Sequence, residues 1–584
     1  MSAPNERVAP KLTRVVGALA EATGMRDARL NELVRIGELE LLAEVLRLTG
    51  DRATLQVFEE TMGVALEEPV VRAGAPLSVE LGPGLLGSVI DGIGRPLSAL
   101  PGDFILPGAN APTIERGREF VFTAKVAVGA TINAGDVLGT VPDRGGFEHR
   151  ILVPPDRSGV IARLFEGART IEAPIAELND GTPLFLSHRW PVRRPRPIRA
   201  RLDASRPFLT GQRIFDFLFP IAEGGTVAVP GGFGTGKTVI EQSLAKYAEA
   251  DVVIYIGCGE RGNEMAEVLH EFARLKDPRH GRSVLDRTVL VVNTSNMPVA
   301  ARESSVYLGL TIAEYFRDQG YRAAVMADSL SRWAEALREI GSRLQEMPGE
   351  EGYPTYLASR AARLHERAGR VTCLGSPNRE GSVTLISAVS PPGGDFSEPV
   401  TQSCLRVAGA LWALDPELAH QRQFPAVDWH TSYSLYADAM GRALDASCDP
   451  GWTKARAQIV ELLQRDGELR EVASVVGPEA LEDRDRLLLQ AAAIAREIVL
   501  GQSAFDPNDA YSPPAKTFRL ARAVLLLFEA GKSALEQGAT FAELELAQAR
   551  RALAMLRDAA EADVEARAAE VATRITKVWR GGPS

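Results

Sequence analysis

One stretch constrains this chain more than any other. Thr226-Val227-Ala228-Val229-Pro230 leads into Gly231-Gly232-Phe233-Gly234-Thr235-Gly236-Lys237-Thr238, and Val239-Ile240-Glu241-Gln242-Ser243-Leu244-Ala245-Lys246 follows. The middle part meets G-x-x-x-x-G-K-[ST] at every fixed position, and its flanks read as strand and helix, the context this pattern needs. The glycines let backbone N–H groups turn inward around phosphate oxygens, and the helix N-terminus adds partial positive charge. Lys237 is expected to reach the β/γ-phosphates and the Thr238 hydroxyl to ligate Mg²⁺. The competing interpretation is a glycine-rich turn before an ordinary helix, and it leaves the complete match unaccounted for.

From Gly224 to about Val389, apolar strands alternate with amphipathic helices, which predicts a mostly parallel sheet covered on both faces. Candidate strands are Val252 to Ile256, Thr288 to Val292, Ala323 to Ala327 and Val383 to Ser387; helices are expected over Asn263 to Lys276 and Val299 to Gln319. Asp328 ends an apolar strand, where a carboxylate opens into the ligand crevice of an α/β sheet and accepts hydrogen bonds from metal-bound water. The same residue also suits a helix N-cap. In Gly257-Cys258-Gly259-Glu260-Arg261-Gly262-Asn263-Glu264 the glycines allow close approach to a ligand. Glu260 is placed to polarise an attacking water and Arg261 to offset γ-phosphoryl charge. Spacing alone equally fits a surface Glu–Arg pair capping the next helix.

The remainder organises around this core. Its 584 residues suggest three or four domains at about 150 residues each. Residues 1–76 are predicted as an N-terminal β-barrel, with a hairpin turn at Thr49-Gly50-Asp51-Arg52 between Leu42 to Leu48 and Ala53 to Phe58. Residues 77–110 read as a linker and the start of the nucleotide-binding domain. The Gly- and Pro-rich run Leu81 to Leu97 is the turn-rich part. Residues 111–187 form an inserted β-rich domain. Its Val128 to Gly139 segment hints at a lipoyl-like sandwich, but it lacks a modifiable lysine on a tight hairpin. The nucleotide-binding domain is placed at 188–440 and a C-terminal helical domain at 441–584, with helices over Arg484 to Leu500 and Thr517 to Glu529. The basic run Trp190 to Arg199 is expected to be an extended, solvated connector.

Charge and cysteine usage exclude some classes. With 66 basic and 76 acidic residues the formal net charge is −10, which disfavours non-specific binding to nucleic acid or anionic lipid. No N-terminal signal pattern or apolar run near the ~18 residues of a membrane span is evident. Cys258, Cys373, Cys404 and Cys448 are scattered, without zinc spacing, and are expected to be inert free thiols in a reducing cytoplasm.

Longer motifs carry a resemblance. Gly259 to Met265, Asn293-Thr294-Ser295-Asn296-Met297-Pro298, Ala313 to Asp318, Met326 to Ser329, Arg332 to Glu339, Met347 to Pro354 and Ser390 to Val400 closely resemble the catalytic A subunits of V-type (A/V-type) rotary ATPases. The likeness spans essentially the whole chain, and the β insert is similar to that family's extra domain. It implies a multidomain α/β fold: β-barrel, inserted β-rich domain, RecA-like P-loop domain and C-terminal helical bundle. It also implies an ATP hydrolase/synthase using ATP or ADP with Mg²⁺, coupled to proton or sodium translocation. By that resemblance Lys237 and Thr238 bind phosphate and Mg²⁺, Glu260 activates water, Arg261 contacts the γ-phosphate and Asp328 supports the metal. Phe424 and Phe505 match the aromatics that pack on adenine, although the residues alone fit core phenylalanines equally well. Thr235 stands where eukaryotic relatives have a cysteine, which excludes a P-loop disulfide switch.

The resemblance further implies an alternating ring of three A and three B subunits, with an arginine finger supplied in trans by the neighbouring B. Central rotor and peripheral stalk subunits are the other expected partners, and no nucleic acid is expected. The chain would sit on the cytoplasmic face of the membrane, held there only by other subunits. Two other readings compete. A non-catalytic nucleotide-binding subunit has no use for the water-activating Glu260. An RNA-translocating or export ATPase calls for a basic, aromatic-rich face, which the acidic balance disfavours.

Overall fold

Alternating apolar positions roll the N-terminal segment into a β-barrel. Six antiparallel strands, Lys11–Val16, Leu19–Thr23, Glu32–Ile36, Leu41–Thr49, Arg52–Val57 and Val70–Pro76, pair in the order first, second, fifth, fourth, third, sixth. Backbone bonds close it: the Leu12 amide donates to the Glu68 carbonyl (3.0 Å), Glu67 to Leu12 (2.9 Å) and Val70 to Pro10 (3.0 Å). Closure removes the unpaired edge that an open sheet presents. Leu12, Val34, Leu41, Val45, Leu55 and Val57 are among its buried core. The expected hairpin is there, with Thr49 opposite Arg52.

The computed structural model describes residues 9–102, 105–232, 234–279 and 281–579. The chain divides into two units, Met1–Asp203 with Ala250–Val407 and Ala204–Glu249 with Ala408–Ser584.

The first unit contains the barrel, the insert and a parallel sheet. The insert is a sandwich of two four-stranded antiparallel sheets whose facing apolar residues include Phe120, Phe122, Ile151, Ile161 and Leu178. The parallel strands run Val89–Ile90, Thr288–Thr294, Val252–Glu260, Arg322–Asp328 and Glu380–Val389. Their near-continuous apolar runs are buried, as strands covered on both faces require. The helix Val299–Asp318 is buried almost all round.

Two expectations about connectors need correction. Within the turn-rich 81–97 run, Val89–Ile90 forms an edge strand of the sheet, and the buried Asp91 carboxylate accepts from the Ile93 and Arg95 amides and from Arg95 Nε. The Trp190 to Arg199 run is not a solvated connector. Arg193 bridges Glu44 of the barrel (3.0 Å) and Glu303 (2.7 Å), and Arg196 pairs with Asp318 (2.6 Å), while Trp190, Val192 and Arg196 are buried. Arg196 is buried and Arg193 half-buried because carboxylates far away in sequence neutralise them, while Arg194 and Arg199 stay exposed.

This packing also carries a pH dependence. His188 Nε2 lies 3.0 Å from Arg196 Nη1. Burial first, and then the Arg196 charge, hold the His188 pKa well below the usual 6.5; burial lowers His365 as well. The unfolded chain takes up protons that the folded one refuses. Stability is therefore complete above about pH 6.5 and is expected to fall below it by up to ~1.4 kcal/mol per pH unit for each histidine, down to its folded pKa. A melting series from about pH 7.5 to about pH 5.5 checks this, with a shallower slope expected for His188→Gln. Equal slopes would place the acid sensitivity elsewhere.

The second unit contains the buried strand Thr226–Pro230, parallel to Ala410–Leu411. The helix Lys237–Tyr247 follows the strand directly. Beyond Ala437 the chain is helical: Ala437–Ser447, Trp452–Val476, Asp483–Ala495, Pro514–Glu536, Leu546–Arg557 and Val564–Trp579. Phe217 meets Trp452 edge-on, and Trp452 stacks near Phe518, at the bundle's base. Among the described residues no helix is long and apolar enough to cross a membrane. All four cysteines are free thiols; three are buried, and burial pushes Cys258 and Cys404 up to about 12.

Candidate nucleotide site

In the second unit the predicted phosphate loop has the geometry its sequence demands. Gly236 takes φ +86°, a left-handed conformation that caps the helix beginning at Lys237, and the Ile240 amide closes the first turn on the Gly236 carbonyl (3.0 Å). Gly234 is also left-handed. The buried Thr235 hydroxyl donates to the Gly232 carbonyl (2.9 Å), folding the loop on itself. Gly231 is buried, and Lys237 and Thr238 are half-buried on the first helical turn. Phe233 lies outside the described residues.

The two phenylalanines are not core residues. Phe424 is 44% and Phe505 92% exposed. The Phe424 ring lies beside the loop, where a Cβ on Gly236 would sit 3.6 Å from its Cε1. The Gln502 amide donates to the Phe424 carbonyl (2.9 Å), which ties the segment carrying Phe505 to the one carrying Phe424. The unit thus groups the phosphate loop, Phe424 and the Gln502 to Phe505 segment.

In the first unit, Glu260 and Asp328 end adjacent parallel strands. Asp328 stands opposite Gly257, and Glu260 opposite Thr294 after a register shift at Gly259. Gly259 has φ +75°, and a Cβ there would come within 2.7 Å of Arg332 Cβ. This bulge re-aims the strand end, as bulges beside functional sites do. Gly259→Ala is expected to cost about 1–2 kcal/mol in backbone strain alone. The same substitution should lower turnover of the assembled enzyme more than its nucleotide affinity, which steady-state kinetics beside a nucleotide titration would separate.

Asp328 is buried, and the Tyr255 hydroxyl donates to it at 3.4 Å. It is not the N-cap of the next helix; that position belongs to Ser329. Arg261 occupies the N-cap position of helix Gly262–Arg274, but its side chain makes no capping bond. Its guanidinium is 65% exposed and 4.0 Å from Glu264, so it sits at the surface at the helix start, as the alternative reading has it, but without a side-chain cap.

Sequence reasoning missed two neighbours of these carboxylates. Tyr255, four residues inside the strand, reads as an apolar core residue, yet its hydroxyl serves Asp328. Arg332 packs against Gly259. Burial works against the Arg332 charge, but Glu335, Glu260 and Glu264 together hold its pKa above the usual arginine value. The sequence signals for Arg332 are its place in the first turn of the helix after Asp328 and its opening of the Arg332 to Glu339 motif.

Comparison with known proteins settles the family. Four family descriptions match in order: "ATP synthase alpha/beta family, beta-barrel domain" over residues 12–74, the "barrel-sandwich domain" of the ATP synthase alpha/beta subunits over 111–193, "ATP synthase alpha/beta family, nucleotide-binding domain" over 211–434, and "C-terminal domain of V and A type ATP synthase" over 443–544. The chain is 57% identical over 517 residues to the V-type ATP synthase alpha chain of Anaeromyxobacter dehalogenans, covering 88% of this chain and 89% of that one. The chain belongs to the catalytic A subunits of the V/A-type ATP synthases. The corresponding A subunit of the A-type ATP synthase of Thermococcus kodakarensis is 53% identical over 542 residues, covering 91% of this chain and 93% of that one. As a member of the rotary ATPase family the chain is an ATP-hydrolysing, nucleotide-binding enzyme subunit. Membership implies an oligomeric complex with stalk components and B subunits. Among solved structures, the assembled ATPase EscN of an enteropathogenic E. coli type III secretion system matches with a TM-score of 0.63 and 23% identity. That match covers 88% of this chain and 100% of that one, and at this identity the likeness is one of fold.

Proposed function

We propose that this catalytic chain turns over ATP with a phosphate loop and a strand-end carboxylate pair acting on one nucleotide, and that its complex couples this to proton or sodium movement through a central rotor. Lys237 and the loop amides hold the phosphates, Glu260 takes the proton from the attacking water, and Arg261 offsets charge on the γ-phosphoryl oxygens. Phe424 and Phe505 hold the adenine between them. The observation that carries the reading is Glu260, set on a bulge at a strand end beside the strand of Asp328.

Magnesium fits the residues present. Among the described residues no group of three or more His, Cys, Asp or Glu side chains could cage a metal. A hydroxyl from Thr238 and one carboxylate from Asp328 would supply oxygen donors of the kind Mg²⁺ takes. When bound, the ion neutralises phosphate charge. Three such subunits alternate with three B subunits, each B supplying an arginine, and the ring stands on the cytoplasmic face of the membrane through its stalks.

ATPase assays of the chain alone, with its B partner, and with RNA test the reading. Activity is expected to appear with B and to ignore RNA, whereas stimulation by RNA alone would favour a translocating ATPase. Lys237→Ala is expected to weaken ATP binding by about tenfold or more in a nucleotide titration, because it removes a charge-assisted phosphate contact. Unchanged affinity would remove Lys237 from the site.

A further inference from the structure

The first unit holds a charged cavity apart from its strand-end carboxylates. It lies where the strands Val252–Glu260, Thr288–Thr294 and Arg322–Asp328 begin, away from the ends that carry Glu260 and Asp328. Its volume is about 600 Å³, within the range of small-ligand sites. The nine residues from Val252 to Glu260 separate it from the catalytic carboxylate by roughly 25 Å at ~3.3 Å per residue.

Guanidinium groups dominate the cavity wall. Arg144 reaches in from the inserted sandwich and pairs with Asp286 at 2.8 Å. Arg279 and Arg287 share one carboxylate, at 3.0 and 2.8 Å from Asp277 Oδ2, and both donate to the Ala250 carbonyl (2.8 and 2.7 Å). Asp251 is held by Arg322 through two bonds of 3.0 and 3.3 Å. The exposed Arg282 lies over Gly146, where a Cβ would meet its Nη1 at 2.5 Å. Among the described residues, four guanidinium groups of the wall thus stand against three carboxylates, an excess of one positive charge on a chain whose formal net charge is −10. The adjacent Arg150 and Glu148 pair with each other and leave that excess unchanged. Burial, and then the like charge of Arg279, push Arg287 down to about 10 against the pull of Asp277 and Asp251. An anion set among these guanidinium groups would meet several donors at once.

We propose that this cavity binds a phosphate dianion, either free phosphate or the terminal phosphate of a nucleotide-sized metabolite. Planar guanidinium forks match phosphate oxygens two at a time. Tyr321, tilted against Phe147 with ring centroids 4.4 Å apart, supplies an aromatic wall for the rest of a larger ligand.

Equilibrium binding to the full chain carrying Lys237→Ala, which weakens the P-loop, tests the site with inorganic phosphate and adenosine 5′-monophosphate as probes. One bound equivalent is expected for at least one probe. Adding Arg279→Ala or Arg282→Ala should weaken it by about tenfold or more. Tighter binding of the monophosphate assigns a nucleotide-sized ligand, and equal binding assigns the phosphate alone. Arg282 is exposed, so its variant should keep the parent's melting temperature and report on binding rather than folding. No bound equivalent for either probe, or an affinity that neither arginine substitution alters, overturns the proposal.

Discussion

Replacing Glu260 with glutamine is expected to leave nucleotide affinity of the assembled complex within about twofold while lowering turnover by ~10²–10⁴, the range a positioned general base supplies. Glutamine keeps the size of the side chain and one acceptor oxygen, so the strand end and the Gly259 bulge should hold. What it loses is the ability to take a proton. Glu264, one turn into the following helix and half-buried, offers the control. Glu264→Gln alters the charge around Arg261 and Arg332 without touching the strand end, and should leave turnover within about threefold, the scale of a partly exposed ion pair. Comparable losses in both variants would mean that the local field matters and the carboxylate does not act as a base. Full activity in Glu260→Gln would remove it from the chemistry.

Much of this arrangement was legible beforehand because parallel strands buried on both faces write themselves as unbroken apolar runs. Val252 to Ile256, Thr288 to Val292 and Ala323 to Ala327 each became a strand, and the phosphate loop declared itself by its glycines. The errors share a different physics. Arg193 and Arg196 look solvated in a Pro-rich run because the carboxylates that bury them, Glu44, Glu303 and Asp318, come from the barrel and from a distant helix. Val89–Ile90 is too short to announce itself, and it is a strand only because Thr288–Thr294 offers it an edge. The N-cap alternative for Asp328 needed the backbone, which gives that position to Ser329. Local pattern reports what one element wants; partners separated by a hundred residues or more are invisible to it.

Asp509→Ala is expected to be among the most destabilising single substitutions in the second unit, by about 3–5 kcal/mol, because it strands a buried charge. The partner, Arg213, is fully buried, and its Nη1 stands 2.5 Å from Asp509 Oδ1. Burial lowers the Arg213 pKa and Asp509 pulls it back up. The guanidinium also donates to the Val499 carbonyl (3.2 Å) and to that of Gly501, while the Arg213 amide donates to Gln502 Oε1 (2.7 Å). One arginine therefore holds the 499–509 segment in place, and that segment carries Phe505 and bonds to the Phe424 backbone. Two readouts follow. The unfolding midpoint reported by the buried Trp412 and Trp452 should fall steeply, whereas Glu536→Ala, which removes an exposed i,i+4 pair with Lys532, should cost only ~0.3–0.5 kcal/mol. Nucleotide affinity should fall with Asp509→Ala at temperatures where the chain is still folded, since the Phe505 segment loses its anchor. Pairing Arg213→Met with Asp509→Leu separates the charge from the packing: removing both partners should restore much of the stability, and the coupling in that double-mutant cycle measures the ion pair itself. If Asp509→Ala melts no earlier than Glu536→Ala, water reaches Arg213 and the segment is anchored by its backbone bonds alone.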